Sequence, residues 1–186
     1  DAALVLRVLD VGPVAMTMGN WLPPFGISFV ADVAGATFAL AAAVVVLVLL
    51  VYLRMDLPDR ARRDGVYPLI LLLLAGLSGA FLTGDLFNLF VFAELLVFSG
   101  AILTANSDDP YGAEAALKYF YMSLLASAAL LLANGVLYVS YGTLNMADLA
   151  VRIAADTTQP LLAAGIDFLL VTFMITSAVF PFHFCQ

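Results

Sequence analysis

The sequence predicts an all-α protein that crosses a lipid bilayer several times. Three observations carry that reading. Of 186 residues, 64% are hydrophobic and 11% charged, whereas a soluble domain has about half apolar and about a quarter charged residues. Charges this sparse cannot cover a water-facing surface. The apolar residues form runs close to the ~20 residues a helix needs to cross a membrane. The polar residues gather in short breaks between those runs.

Residues 1–9 are apolar but too short to span, and read as the tail of a preceding helix. The chain opens at Asp1 without a methionine or a basic leader and stops at Gln186 just after an apolar run. A fragment of a longer protein is therefore expected. GNWLPPFGISFVAD (19–32) follows, where Pro23, Pro24 and Gly26 break any helix. It reads as a connecting loop, with Trp21 as an interfacial anchor. The alternation of Ile27, Phe29 and Ala31 also allows a small hairpin. Residues 1–35 thus form one region and 36–186 a transmembrane region of about five spans.

The first complete span covers about Ala36 to Leu53, with Asp32 placed to cap the exposed N–H groups at its start. The loop RMDLPDRARRDG (54–65) carries four of the seven basic residues. A second span runs from about Tyr67 to Leu82, and the break Thr83-Gly84-Asp85 turns the chain into a third, about Leu86 to Leu103. After a polar loop without Lys or Arg, a fourth covers about Ala115 to Val139. GTLNMADLAVRIAA (142–155) is too polar to cross. Leu149, Val151 and Ile153 are read as sharing a side with Ala147 and Ala154, opposite Asp148 and Arg152. This gives an interfacial amphipathic helix capped by Asn145. A last span starts after Pro160 and ends near Phe180, where Pro181 breaks it. Arg54, Arg60, Arg62 and Arg63 place loop 54–65 in the cytoplasm, and residues 10–32 and 140–158 outside.

A net charge of −7 with no basic stripe argues against nucleic acid as a partner. A single His183 and a single Cys185 argue against a metal centre or a disulfide. No cofactor is expected.

Ionisable residues inside a bilayer are costly and need a partner or a task. Glu94 lies eight residues into its span, ~12 Å at 1.5 Å per residue and close to mid-bilayer. Desolvation favours the neutral acid and a nearby cation the carboxylate, so such a group exchanges a proton as its neighbours move. Lys118 either snorkels to the cytoplasmic surface or reaches toward Glu94. Asp85 sits where a helix cap is needed. Asp167 is two turns into the last span, either protonated or facing a wet cavity. His183, just past the Pro181 break, suits a proton relay or a purely structural place. Asn88, Ser99 and Ser127 are candidates for bonds across helices or for lining a wet path.

LTGDLFNLFVFAELLVFSG (82–100), ALKYFYMSLLASAALLLANGVLYVSYGTLNMADLA (116–150) and AVFPFHF (178–184) resemble the proton-antiporter family. That family includes antiporter-like subunits of respiratory complex I, membrane subunits of related hydrogenases and large subunits of Mrp sodium/proton antiporters. GNWLPPFGISFVAD and GTLNMADLA are most similar to the D-type Mrp subunit. The resemblance runs in order over nearly the whole chain. It implies part of the first of two inverted five-helix repeats, with a broken seventh helix. It matches Glu94 to the fifth-helix glutamate of proton transfer, Lys118 to a lysine opening the sixth helix, and His183 to the histidine after the seventh-helix proline. Thr176 stands where the family has the lysine that partners the glutamate, and Cys185-Gln186 stand where Trp-Leu-Pro is expected.

The resemblance implies a subunit of a multisubunit monovalent cation/proton antiporter in a cell inner membrane. Sodium is the coupled ion it implies, and other membrane subunits are the partners. Two other readings stay open. One is a proton-pumping subunit of an NADH:quinone oxidoreductase or membrane hydrogenase. The other is a non-transporting structural remnant, to which Thr176 points.

Overall fold

The computed structural model describes residues 1–21, 25–56, 65–106, 111–156 and 161–179. Helix α1 (Ala2–Val11) is followed by a two-stranded ribbon, β1 (Val14–Thr17) with β2 (Ser28–Ala31). Then come α2 (Val33–Asp56), α3 (Val66–Phe81), α4 (Leu86–Ala105), α5 (Gly112–Tyr141), α6 (Met146–Ala155) and α7 (Leu162–Thr176). The helices α2, α4 and α5 are long and apolar enough to cross a membrane, while α3 and α7 are shorter apolar helices of 16 and 15 residues. The chain divides into two compact units, with boundaries inside α4 at Val91/Phe92 and inside α5 at Leu117/Lys118.

The first unit holds α1, α2, α3 and the distal part of α4. Val8, Ala31 and Ala36 are buried together, with Leu4, Val5, Val14 and Leu82 packed around them. Farther along α2, Val46 packs with Val66 and Ile70 of α3. The rings of Phe38 and Phe81 stack with centroids 5.6 Å apart. Asp32 caps α2 as its sequence position requires, its Oδ1 accepting from the Gly35 N–H at 2.6 Å.

In the second unit, α5, α6 and α7 close around Leu137, Tyr141 and Leu149. Asn145 caps α6 by accepting from the N–H groups of Ala147 and Asp148, at 3.2 and 3.1 Å. Arg152 holds Asp148 through Nε and Nη2, at 3.1 and 3.0 Å, and donates from Nη1 to the Tyr141 carbonyl at 2.8 Å. The hydrogen bond from Arg152 is the main reason the Asp148 carboxyl sits below the usual aspartate range.

Two expectations need correction here. Val151, Ala147 and Ala154 do not share the buried face of α6: all three are exposed, Val151 by 69%, while Leu149 is buried. Val151 stands two residues past Leu149, about 200° around a helix, so the two cannot face the same way. The last helix also ends at Thr176, before Phe180. Ala178 takes φ 51°, its N–H bonds the Ile175 carbonyl, and the Val179 N–H bonds the Met174 carbonyl. This pair of bonds is the Schellman ending, which usually carries glycine at the left-handed position. The left-handed turn at Ala178 therefore closes the helix four residues short of Phe180.

Candidate functional site

The break Thr83-Gly84-Asp85 is held as a short extended segment in the second unit. Phe29 bridges Thr83, and Asp85 bridges Asn145, both antiparallel. Gly84 donates to the Ser28 carbonyl at 2.8 Å, Leu86 donates to the Leu144 carbonyl at 2.9 Å, and Met146 donates to the Gly84 carbonyl at 2.9 Å. Side chains complete the joint. Asp85 Oδ1 accepts from the Asn88 N–H at 2.9 Å, and Asn88 Nδ2 donates to Thr83 Oγ1 at 3.0 Å. Asp85 is therefore an N-cap that starts α4, and both it and Asn88 are buried. Asn88 and Ser99 do not reach across helices for their polar partners. Asn88 bonds within the turn, and Ser99 Oγ donates to the Leu95 carbonyl of its own helix at 2.7 Å.

Glu94 lies in the first unit, on the stretch of α4 that packs against α3. The approach is close because Gly76 and Gly79 carry no side chain. A Cβ at Gly79 would run into the Phe92 ring, and one at Gly76 would come within 2.9 Å of Leu96 Cγ. Phe92 and Leu96 stand two residues on either side of Glu94, so each points about 160° away from it around the helix. Helix α3 thus covers the face of α4 opposite the carboxylate. Glu94 itself is half-buried and has no hydrogen-bonding or ionic partner among the described residues of its unit. In the same unit its stripe includes Phe98, which is 49% exposed.

The remaining candidates lie in the second unit. Lys118 is exposed in the first turns of α5, and Asp167 is exposed on α7. Thr176 is the last residue of α7, and its hydroxyl donates to the Thr172 carbonyl at 2.9 Å and to the Phe173 carbonyl at 3.2 Å. That hydroxyl is committed to its own helix. His183 and Pro181 lie outside the described residues. Sequence reasoning overlooked Asn134, which is 2% exposed in the middle of α5 and donates from Nδ2 to the Leu86 carbonyl at 3.2 Å. An amide inside the apolar run LLLANGVLY was the available signal.

The family model described as "NADH:quinone oxidoreductase/Mrp antiporter, TM" matches residues 83–185, a stretch that contains every one of these candidates. The chain belongs to this antiporter family. A relative, the D-type subunit of the Na(+)/H(+) antiporter of Alkalihalophilus pseudofirmus, is 35% identical over 181 residues, 97% of this chain and 37% of the relative. The present chain therefore spans well under half of that relative's length. Two solved structures share the fold. The membrane-bound sulfane sulfur reductase, an archaeal respiratory membrane complex, superposes with a TM-score of 0.86 at 31% identity, over 99% of this chain and 38% of that one. The Mrp complex from Dietzia sp. gives 0.73 at 30% identity, over 99% and 34%. The protein is thus an integral membrane protein with the helical architecture of antiporter-like subunits. Those relatives work as subunits of multisubunit assemblies.

Proposed function

We propose that the chain is part of a subunit of a multisubunit monovalent cation/proton antiporter, with Glu94 as its proton-exchanging group. The observation that supports this most is the contrast between a carboxylate deep in an apolar span and the absence of any partner for it among the described residues of its unit. A carboxylate tied by donors resists protonation, and one left untied in a low-dielectric span changes charge when a cation approaches or leaves. Its exposed stripe on α4 must be covered by protein or water, because lipid would not tolerate the charged form. Lys118 and His183 are proposed as further carriers of the proton path, with Asp85, Asp167 and Thr176 in support. Sodium is the proposed coupled ion and other membrane subunits the partners. The proposed location is the cell inner membrane, with loop 54–65 in the cytoplasm and residues 1–35 forming the end of a preceding helix and an external loop with a hairpin.

Proton flux in vesicles carrying the assembled, full-length protein tests the reading. Flux should follow an imposed sodium gradient and disappear in Glu94→Gln while the complex still assembles. Wild-type flux in that variant would reduce Glu94 to a packing element. A second reading, a subunit of a redox-driven pump, is supported by the superposition on a respiratory complex. In that case flux follows NADH or another electron donor and ignores sodium. The hydroxyl of Thr176, bonded to its own helix, favours neither. Thr176→Lys should raise flux if a mobile cation at this position is what the chain lacks, and a chain that stays silent with lysine there fits the structural remnant. Topology has its own test in a Cys185→Ser background. Cysteines at Arg62 and at the exposed Ala147 should label from opposite faces, inside and outside.

A further inference from the structure

Asn134 stands out among the buried polar groups of the second unit. Thr83, Asp85 and Asn88 are bonded within the 83–88 turn, and Thr143 and Asn145 accept from backbone N–H groups of the 143–148 turn. The Leu86 peptide joins this group to Asn134: its N–H bonds the Leu144 carbonyl and its C=O accepts from Asn134 Nδ2. The other half of the amide is left over. Asn134 Oδ1 has no hydrogen-bond partner among the described residues and carries less than 1 Å² of accessible surface. Rotating the amide offers no escape, since it would set Oδ1 against the Leu86 carbonyl, two acceptors face to face.

A sealed acceptor of this kind is unfavourable relative to a bonded one, because it has given up water without gaining a donor. Asn134 lies seven residues before the end of α5, about 10 Å along the axis. A water is small enough to serve as its donor there. It would donate to Oδ1 and, with its second hydrogen, to one of the helix carbonyls, each of which keeps a spare lone pair. The present packing leaves no water-sized space against Oδ1, so hydration requires the neighbouring side chains to yield slightly.

We propose that Asn134 is an internal water-binding position, joined through Leu86 to the polar turns at Asp85, Asn88 and Asn145. Its occupancy by water does not depend on the role of Glu94, although any use in proton passage would rest on that reading. The structural alternative is a plain clamp on the Leu86 carbonyl. Radiolytic hydroxyl labelling of the assembled protein in lipid separates the two, because water-derived radicals mark buried side chains beside bound water. Leu137, 2% exposed and one turn from Asn134, is the reporter. Labelling of Leu137 in the wild type should fall several-fold in Asn134→Leu, which keeps shape and loses the acceptor. It should persist in Asn134→Asp, which loses the amide donor and keeps an acceptor. An unlabelled Leu137 in the wild type, or equal labelling in Asn134→Leu, would overturn the proposal. Should either variant fail to assemble, a cryo-EM map of the wild-type complex that resolves ordered waters decides the matter. Density within hydrogen-bonding distance of Oδ1 is expected, and a bare Oδ1 in a map showing waters elsewhere refutes it.

Discussion

The two units treat Asp85 and Glu94 in opposite ways. In the second, the carboxylate of Asp85 is fixed by the Asn88 N–H, its backbone is bridged to Asn145, and Asn88 is bonded in turn to Thr83. In the first, α3 and α4 meet through glycines and apolar side chains, and the carboxylate of Glu94 points to the other side of α4 with none of the described residues of its unit bonded to it. A carboxylate that holds a helix start cannot release that bond without loosening the fold. A carboxylate outside the packing can change charge and leave the fold intact. On the proposed function, the difference separates acids that build the protein from the one assigned to proton exchange.

Substitutions at the two acids break this comparison most sharply. Glu94→Gln should remove nearly all flux while shifting stability by no more than about 0.5 kcal/mol, since it keeps the shape of a half-buried side chain that bonds none of the described residues of its unit. Heat denaturation in mild detergent beside vesicle flux measures both, and a large loss of stability would place Glu94 among the builders. Gly79→Leu should do the reverse, since its side chain has no room beside Phe92. Overpacking of this kind costs about 1–3 kcal/mol or more, so Tm should drop clearly. An unchanged Tm would mean that α3 and α4 are not in close contact.

Smaller effects sharpen the same contrast at helix starts. Asp85→Ala should cost about 0.5–2 kcal/mol through loss of the cap, and Asp85→Ser, which still caps, should recover most of it. If Asp85→Ser is stable yet silent in transport, Asp85 belongs with Glu94 instead. The smallest effect concerns Asp148, whose carboxyl is held low chiefly by its hydrogen bond from Arg152. The folded value lies below the unfolded one, so this contribution is present above the ordinary aspartate range and is lost as pH falls through the lowered folded value. Amide exchange in α6 should therefore quicken only in strong acid, and Arg152→Gln should remove that acid step. An α6 equally protected at all pH values would show that the pair contributes nothing.

Apolar helices, their caps and the amphipathic helix α6 were legible because each rests on local chemistry: apolar run length, and Asp32 and Asn145 at helix starts. Asp85 was legible as a cap for the same reason. Other features were not. Whether Val151 faced in or out depended on which side of α6 met Leu137, a tertiary fact. The stop at Thr176 depended on a left-handed alanine, where a glycine would have signalled it. The first strand, Val14–Thr17, lacks alternation of its own and exists through its partner β2. Glu94 was conspicuous as a charge in an apolar run, but the sequence held no sign that Gly76 and Gly79 would turn it away from α3. Asn134 passed unnoticed because its partner, the Leu86 carbonyl, lies 48 residues away in the chain.

Infrared difference spectroscopy of the assembled, full-length protein across a pH titration tests the central claim directly, because it sees individual carboxyl groups gain and lose protons. The wild type should show a protonated-carboxyl band that titrates reversibly, vanishes in Glu94→Gln and survives in Asp85→Asn. A band that persists unchanged in Glu94→Gln, or that disappears only in Asp85→Asn, would contradict the assignment of Glu94 as the group that exchanges protons.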